Sequence, residues 1–182
     1  MRHLVGIFFG LIALAANSGV PLTHAGPNEN APPEVKQFGQ LAGHWSCVSE
    51  TRQADGTFKT VPGIATWSWY YILEGYAVQD VWLPDRQQNA QAPMGTNIRT
   101  YDAVNGWWDV VWSTQQAPAF ERYRASYRNN ELHMFAERPA NGGFPRHLMR
   151  VTFLDWRYEA SGLTDGLNWQ ETSRLSCDRK ST

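Results

Sequence analysis

The chain has almost no charge of one sign to spare: 16 Lys+Arg stand against 17 Asp+Glu, a formal net charge of −1. A nucleic-acid partner is therefore excluded, because neutralising phosphates needs a surplus of Lys and Arg. Glycine and proline, 15 and 10 residues, fall short of a low-complexity composition, and 42% hydrophobic content excludes a disordered chain. No apolar run reaches the roughly 20 residues that span a bilayer. Nor is there a Gly-x-Ser-x-Gly elbow, a His-Glu-x-x-His helix, a P-loop or a Gly-x-Gly-x-x-Gly fingerprint. What the chain does have is aromatic weight, 13% Phe, Trp and Tyr with nine Trp among them, on a length of 182 residues that suits one domain.

The first segment reads as an address. Met1-Arg2-His3 is a short positive start, Leu4 to Ala16 is apolar, and Thr23-His24-Ala25 places small residues before Gly26. This is the pattern of a secretory signal peptide over residues 1–25, and it implies a periplasmic or secreted protein with no transmembrane segment after cleavage. Of the histidines, His44, His133 and His147 remain in the mature chain, too scattered to define a metal site. Export also bears on Cys47 and Cys177, the only cysteines. In an oxidising compartment an even count favours a disulfide over a metal or redox site, the alternative being two isolated buried thiols. Gly26 to Pro33, with three Pro and two Asn, reads as part of a flexible leader over residues 26–37, with a short helical turn near Val35-Lys36-Gln37-Phe38.

From Gly43 onward, period-2 segments alternate with Gly, Asn, Asp and Pro, and no sustained 3.6-residue period appears. The expectation is all-β, with strands near 44–52, 62–73, 76–83, 95–102, 107–115, 119–128, 131–138, 146–158 and 167–178. Ala54-Asp55-Gly56, Val104-Asn105-Gly106, Asn129-Asn130 and Asn141-Gly142-Gly143 suit tight reversals. Short turns make neighbours antiparallel, so the strands form an up-and-down meander. A link between Cys47 and Cys177 would join the first and last strands and favour closure into a barrel of about nine to ten strands.

Alternation leaves the two faces ambiguous. Trp67, Trp69, Tyr71 and Leu73 oppose Ser68, Tyr70 and Ile72, while Trp108, Val110 and Trp112 oppose Trp107, Asp109, Val111 and Ser113. Charges recur inside strands: Asp80, Arg99, Asp109, Glu121, Arg122, Arg124, Glu137, Arg150 and Glu171. A partly polar lumen accommodates them; so does a solvated outer face with cross-strand pairs.

Leu41-Ala42-Gly43-His44-Trp45 resembles the Gly-x-Trp start of lipocalin-like barrels. The similarity continues through Gly95-Thr96-Asn97-Ile98-Arg99-Thr100-Tyr101-Asp102, Gly106-Trp107 and Ser161-Gly162-Leu163-Thr164-Asp165-Gly166-Leu167-Asn168-Trp169. As a set, over about residues 38–178, these look like the motifs of a bacterial lipocalin-like family of unassigned function. Leu167 departs from the pattern, where a second glycine is expected. The resemblance implies a calycin-type barrel domain over 38–178, followed by a tail over 179–182. It also implies a floor closed by Trp45 beside a basic residue from a late strand, for which Arg174 is the candidate. It implies no reaction.

The function expected is non-catalytic binding of a small amphipathic or acidic ligand in the lumen. Trp69, Trp82 and Trp112 are candidate walls, and Arg99 and Arg150 candidate clamps for an acidic headgroup. Arg99 and Tyr101 lie two positions apart, so they share a strand face and can grip one headgroup together. The plainer alternative is a buried Arg–Asp network with packed aromatics and no ligand. His133 or His147 could carry haem, but a lone strand histidine is more often an ordinary polar residue, and no cofactor is expected. Two rival classes remain: a lyase or isomerase using Asp80, Asp109, His133 or Glu171 as acid or base, and an interaction module presenting its Trp/Tyr surface to a protein, self-association included. The export reading predicts that protein recovered from the periplasm or medium begins at Gly26. Intact-mass measurement of the exported form checks it, and retention of residues 1–25 would refute it.

Overall fold

The computed structural model describes residues 22–117, 119–129, 131–136, 149–152, 157–161 and 169–180. One short helix, α1 (Val35–Gly39), precedes eleven strands: β1 (Gly43–Arg52), β2 (Phe58–Thr60), β3 (Ala65–Ile72), β4 (Ala77–Leu83), β5 (Gly95–Asp102), β6 (Trp107–Thr114), β7 (Glu121–Arg128), β8 (Glu131–Ala136), β9 (Met149–Thr152), β10 (Arg157–Ser161) and β11 (Trp169–Arg179). All pairings are antiparallel, and the strands follow the path β8-β7-β6-β5-β4-β3-β1-β11-β10-β9, with β2 flanking β1. The up-and-down, all-β expectation holds.

Closure does not. Over nine strands the sheet curls through 281° and remains an open half-barrel. The first and last strands do pair, from Trp45↔Arg179 to Thr51↔Ser173, but that ladder lies in the middle of the path. The seam falls instead between β8 and β9, whose Cα atoms approach within 8 Å with no ladder between them among the described residues. These strands are six and four residues long, which leaves few positions for closing hydrogen bonds. A second correction concerns 146–158, expected as one strand: β9 and β10 are two strands paired antiparallel, from Arg157↔Thr152 to Ala160↔Met149. The expected turn at 141–143 and most of the Ser161–Trp169 motif lie outside the described residues, as do residues 1–21 of the signal segment.

Local chemistry sets the reversals. Asp55 Oδ1 accepts the Thr57 N–H at 2.9 Å beside Gly56 at φ 86°. Asp102 Oδ1 accepts the N–H groups of Val104 and Asn105, each at 3.0 Å, ahead of Gly106 at φ 75°. Between β3 and β4 the turn runs Leu73-Glu74-Gly75 with φ 50°, 54° and 89°. Asn28 braces it, donating from its side chain to the Glu74 carbonyl at 3.0 Å and from its backbone to that of Gly75 at 3.1 Å.

Burial resolves the faces. Trp67, Trp69, Tyr71, Val78, Trp108, Val110, Tyr123, Ala125, Leu132, Met134 and Leu175 point inward, one residue in two along each strand. Helix α1 plugs one end of the half-barrel with Val35 and Phe38, both fully buried. Phe38 stacks on Trp69 with ring centroids 6.1 Å apart and meets Trp108 edge-on at 4.8 Å, while Trp108 donates its indole N–H to Gln37 Oε1 at 2.9 Å. At Gly39 a side chain would collide with the Tyr71 hydroxyl, so glycine lets the helix seat against β3.

Cys47 and Cys177 face each other across the β1·β11 ladder, Cα atoms 4.1 Å apart, and form the expected disulfide. It spans 130 positions, so cross-linking removes much of the freedom of the unfolded chain. Replacing both cysteines by alanine is expected to lower unfolding free energy by about 3–5 kcal/mol in urea titrations. A loss below about 1 kcal/mol would mean that the ladder alone holds these strands.

Candidate functional site

Beyond the layer closed by α1, the half-barrel encloses a cavity of about 370 Å³. Its apolar wall comes from Trp67 on β3, Trp82 on β4, Trp112 on β6, Tyr123 on β7, Met134 on β8 and Leu175 on β11. Trp67 and Trp82, directly opposed across β3 and β4, meet edge to face at 5.4 Å. Trp112 owes its position to a glycine: a side chain at Gly95 would run into its indole. Gly95 sits on β5 diagonally from Trp112, whose direct partner is Asn97, and leaves the ring room to lie across the sheet.

Asp80, Asn97 and Arg99 form the polar base. Asp80 is 0% exposed and Arg99 2%. Arg99 donates from Nη1 to Asp80 Oδ1, while Asp80 Oδ2 accepts the Trp67 indole N–H at 2.6 Å and the Asn97 amide N–H at 3.2 Å. The pair crosses two strands diagonally, since Asp80 lies opposite Asn97 and Arg99 opposite Val78. The guanidinium packs against two rings, its Cζ 4.4 Å from the Trp69 centroid and 4.9 Å from that of Phe38. A buried charge needs such a partner set, and here one carboxylate takes three donors. Glu50 and Arg174 border the cavity from β1 and β11. Arg174 is bound in turn by Glu171, at 2.8 and 2.9 Å, and stacks 3.7 Å over Phe58 of β2.

The residues singled out from the sequence therefore divide. Trp82, Trp112 and Arg99 line the cavity, and Trp69 lies directly beneath it, packed on Arg99. Tyr101 shares the inward face with Arg99 but belongs to the closed end: its ring meets Trp108 at 5.5 Å, and its hydroxyl bonds with Glu34, next to α1. Burial, with Glu34 adding to it, pushes that hydroxyl's pKa up. Arg150 lies on β9 opposite Glu159 in the β9·β10 register, its side chain outside the described residues. Trp45 donates its indole N–H to the Leu41 carbonyl at 2.8 Å, and the cation stacked on it, at 4.3 Å, is Arg179. Arg179 also donates to the carbonyls of Ala42 and Gln40 at 2.6 and 3.0 Å. Arg174, named from the sequence for this place, is at the cavity instead.

Trp67, Asn97, Tyr123, Met134 and Leu175 were not singled out as site residues. Only the parity of Trp67 with Trp69 signalled any of them. The acids and bases weighed for catalysis stand apart: Asp80 is buried in the base, Asp109 is exposed on β6, His133 pairs with Glu131 at 3.0 Å, and Glu171 pairs with Arg174. Among the described residues no group of three or more His, Cys, Asp and Glu could hold a metal ion. Glu137 and His147 lie outside the described residues.

Removing one member of the buried pair leaves the other charge unmatched. Asp80→Asn is expected to cost about 3–5 kcal/mol of unfolding free energy, and the double variant Asp80→Leu/Arg99→Met distinctly less. Equal losses in chemical denaturation would show that packing, not charge pairing, governs this base.

No protein-family model matches this chain, and no curated protein matches it either.

Proposed function

We propose that the protein is an exported, non-catalytic carrier that binds a small amphipathic molecule in the open half-barrel, on a scaffold of the lipocalin-like, calycin type. The observation that carries this reading is the cavity of about 370 Å³, walled by Trp67, Trp82, Trp112, Tyr123, Met134 and Leu175 around a compact polar base. Its volume lies in the range of roughly 300–1,000 Å³ in which small-molecule sites fall, and a mostly apolar wall with a few fixed polar groups is what such a site requires. The scaffold reading draws support from the up-and-down curl and from Trp45 beneath Arg179, a Trp near a basic residue of a late strand. The disulfide agrees with export to an oxidising compartment.

Titration of tryptophan emission with fatty acids, isoprenoids and haem tests the reading, because three indoles line the cavity. A saturable change with at least one class is expected. Gly95→Val, which drives a side chain into the space of the Trp112 ring, should weaken that binding at least tenfold. No saturable response from any class, or binding indifferent to Gly95→Val, would place the function elsewhere.

A further inference from the structure

The ion pair at the base of the cavity is sealed. Asp80 is fully buried and Arg99 is 2% exposed, so the two charges present almost no surface to a ligand. Both carboxylate oxygens are taken, Oδ1 by Arg99 and Oδ2 by Trp67 and Asn97. What the base does turn towards the cavity is Asn97, 7% exposed. Its Nδ2 donates to Asp80 Oδ2 at 3.2 Å, and this fixes the amide, because the flipped orientation would set its oxygen against the carboxylate. Asn97 Oδ1 accepts no hydrogen bond among the described residues and, unlike the buried Arg99 Nε–H, it keeps accessible surface. The base therefore offers an acceptor of fixed direction.

The other polar groups of the lining set no such preference. The hydroxyls of Ser49, Thr51 and Ser173 rotate, and each can donate or accept. Tyr123 gives its hydroxyl proton to Glu121 at 2.7 Å, and Arg174 is held by Glu171. Glu50, Trp82 and Trp112 are only partly buried, so their polar atoms keep solvent within reach. Asn97 differs in depth. A flat apolar body seated on the aromatic walls strips water from its Oδ1, and a buried acceptor left unmade is costly unless the ligand itself supplies an O–H or N–H.

We infer that the cavity selects flat apolar molecules that carry a hydrogen-bond donor, a phenolic hydroxyl being the simplest, and that Asn97 Oδ1 reads that donor. This rests on the carrier reading above and narrows its ligand to one chemical class.

Isothermal titration calorimetry of the mature chain with 2-naphthol and 2-methoxynaphthalene tests the inference, since the two share ring and oxygen and differ in the donor. The naphthol is expected to bind at least about fivefold more tightly. Asn97→Ala removes the acceptor, and the preference should then fall to parity or reverse in favour of the more apolar ether. An ether that equals or exceeds the naphthol on the unmodified protein overturns the inference and leaves the carrier reading intact. A preference that survives Asn97→Ala overturns the assignment to this side chain. If neither probe binds while fatty acids, isoprenoids or haem still change the tryptophan emission saturably, the inference falls and the carrier reading stands; if nothing binds, both fall. Should Asn97→Ala not fold, indole against benzofuran on the unmodified protein decides in its place. Indole, whose N–H only donates, must then bind more tightly than benzofuran, which has no donor, and parity between them overturns the inference.

Discussion

The ion pair between Asp80 and Arg99 is the constraint around which the molecule is arranged. Neither group can be left alone in the interior, so β4 and β5 must hold the one register that brings both to the inward face. A slip of β5 by one residue against β4 would turn Arg99 outward and leave Asp80 unmatched in the interior. A buried ion pair adds little net stability, because desolvation offsets most of its attraction. What it contributes is a unique pairing. It also joins the two halves of the interior, since the guanidinium rests on Phe38 and Trp69 while its carboxylate partner holds the Trp67 indole and the Asn97 amide.

Those two halves use the aromatic excess differently. At the closed end, Trp69, Trp108 and Phe38 fill space completely, and Gln37 and Glu34 meet the polar tips of Trp108 and Tyr101. Past the ion pair, Trp67, Trp82 and Trp112 lie around a void. Gly95 makes part of this difference, since the bare backbone allows Trp112 to lie across the sheet. On the outer face an aromatic serves a third purpose: Trp107 carries the guanidinium of Arg124 at 4.3 Å, a surface contact unrelated to the cavity.

Period-2 patterning and turn chemistry made the strands from β1 to β8 legible, apart from β2, because each is bounded by residues suited to reversal. Inside and outside were not legible, since both faces of β3 and β6 carry bulky groups. Asp80 and Arg99 looked no different in sequence from Asp109, Arg122 and Arg124, which are exposed. Only the strand register and the direction in which the sheet curls separate the two sets. On β11 the sequence pointed to Arg174 and left Arg179 in the tail, whereas the register places Arg179 opposite Trp45. The division between β9 and β10 was hidden for a local reason: Phe153-Leu154-Asp155-Trp156 has no glycine, proline or asparagine to mark a reversal. Openness was hidden too, because a disulfide between first and last strands reads as closure when the strand order is unknown.

That disulfide makes the chain close to a ring in its connectivity, with β1 and β11 as neighbours and the spatial gap between β8 and β9. The covalent ends and the edges of the sheet thus fall on different sides of the molecule. A permuted chain joining β11 to β1 and starting at β9 would run β9, β10, β11, β1, β3 onward in spatial order, with β2 as a side branch. Its cystine would then close a short loop, and the stabilisation it exerts through the unfolded chain would fall by roughly 1–2 kcal/mol while the folded geometry stayed the same. The natural order of strands is what gives one covalent bond its long reach.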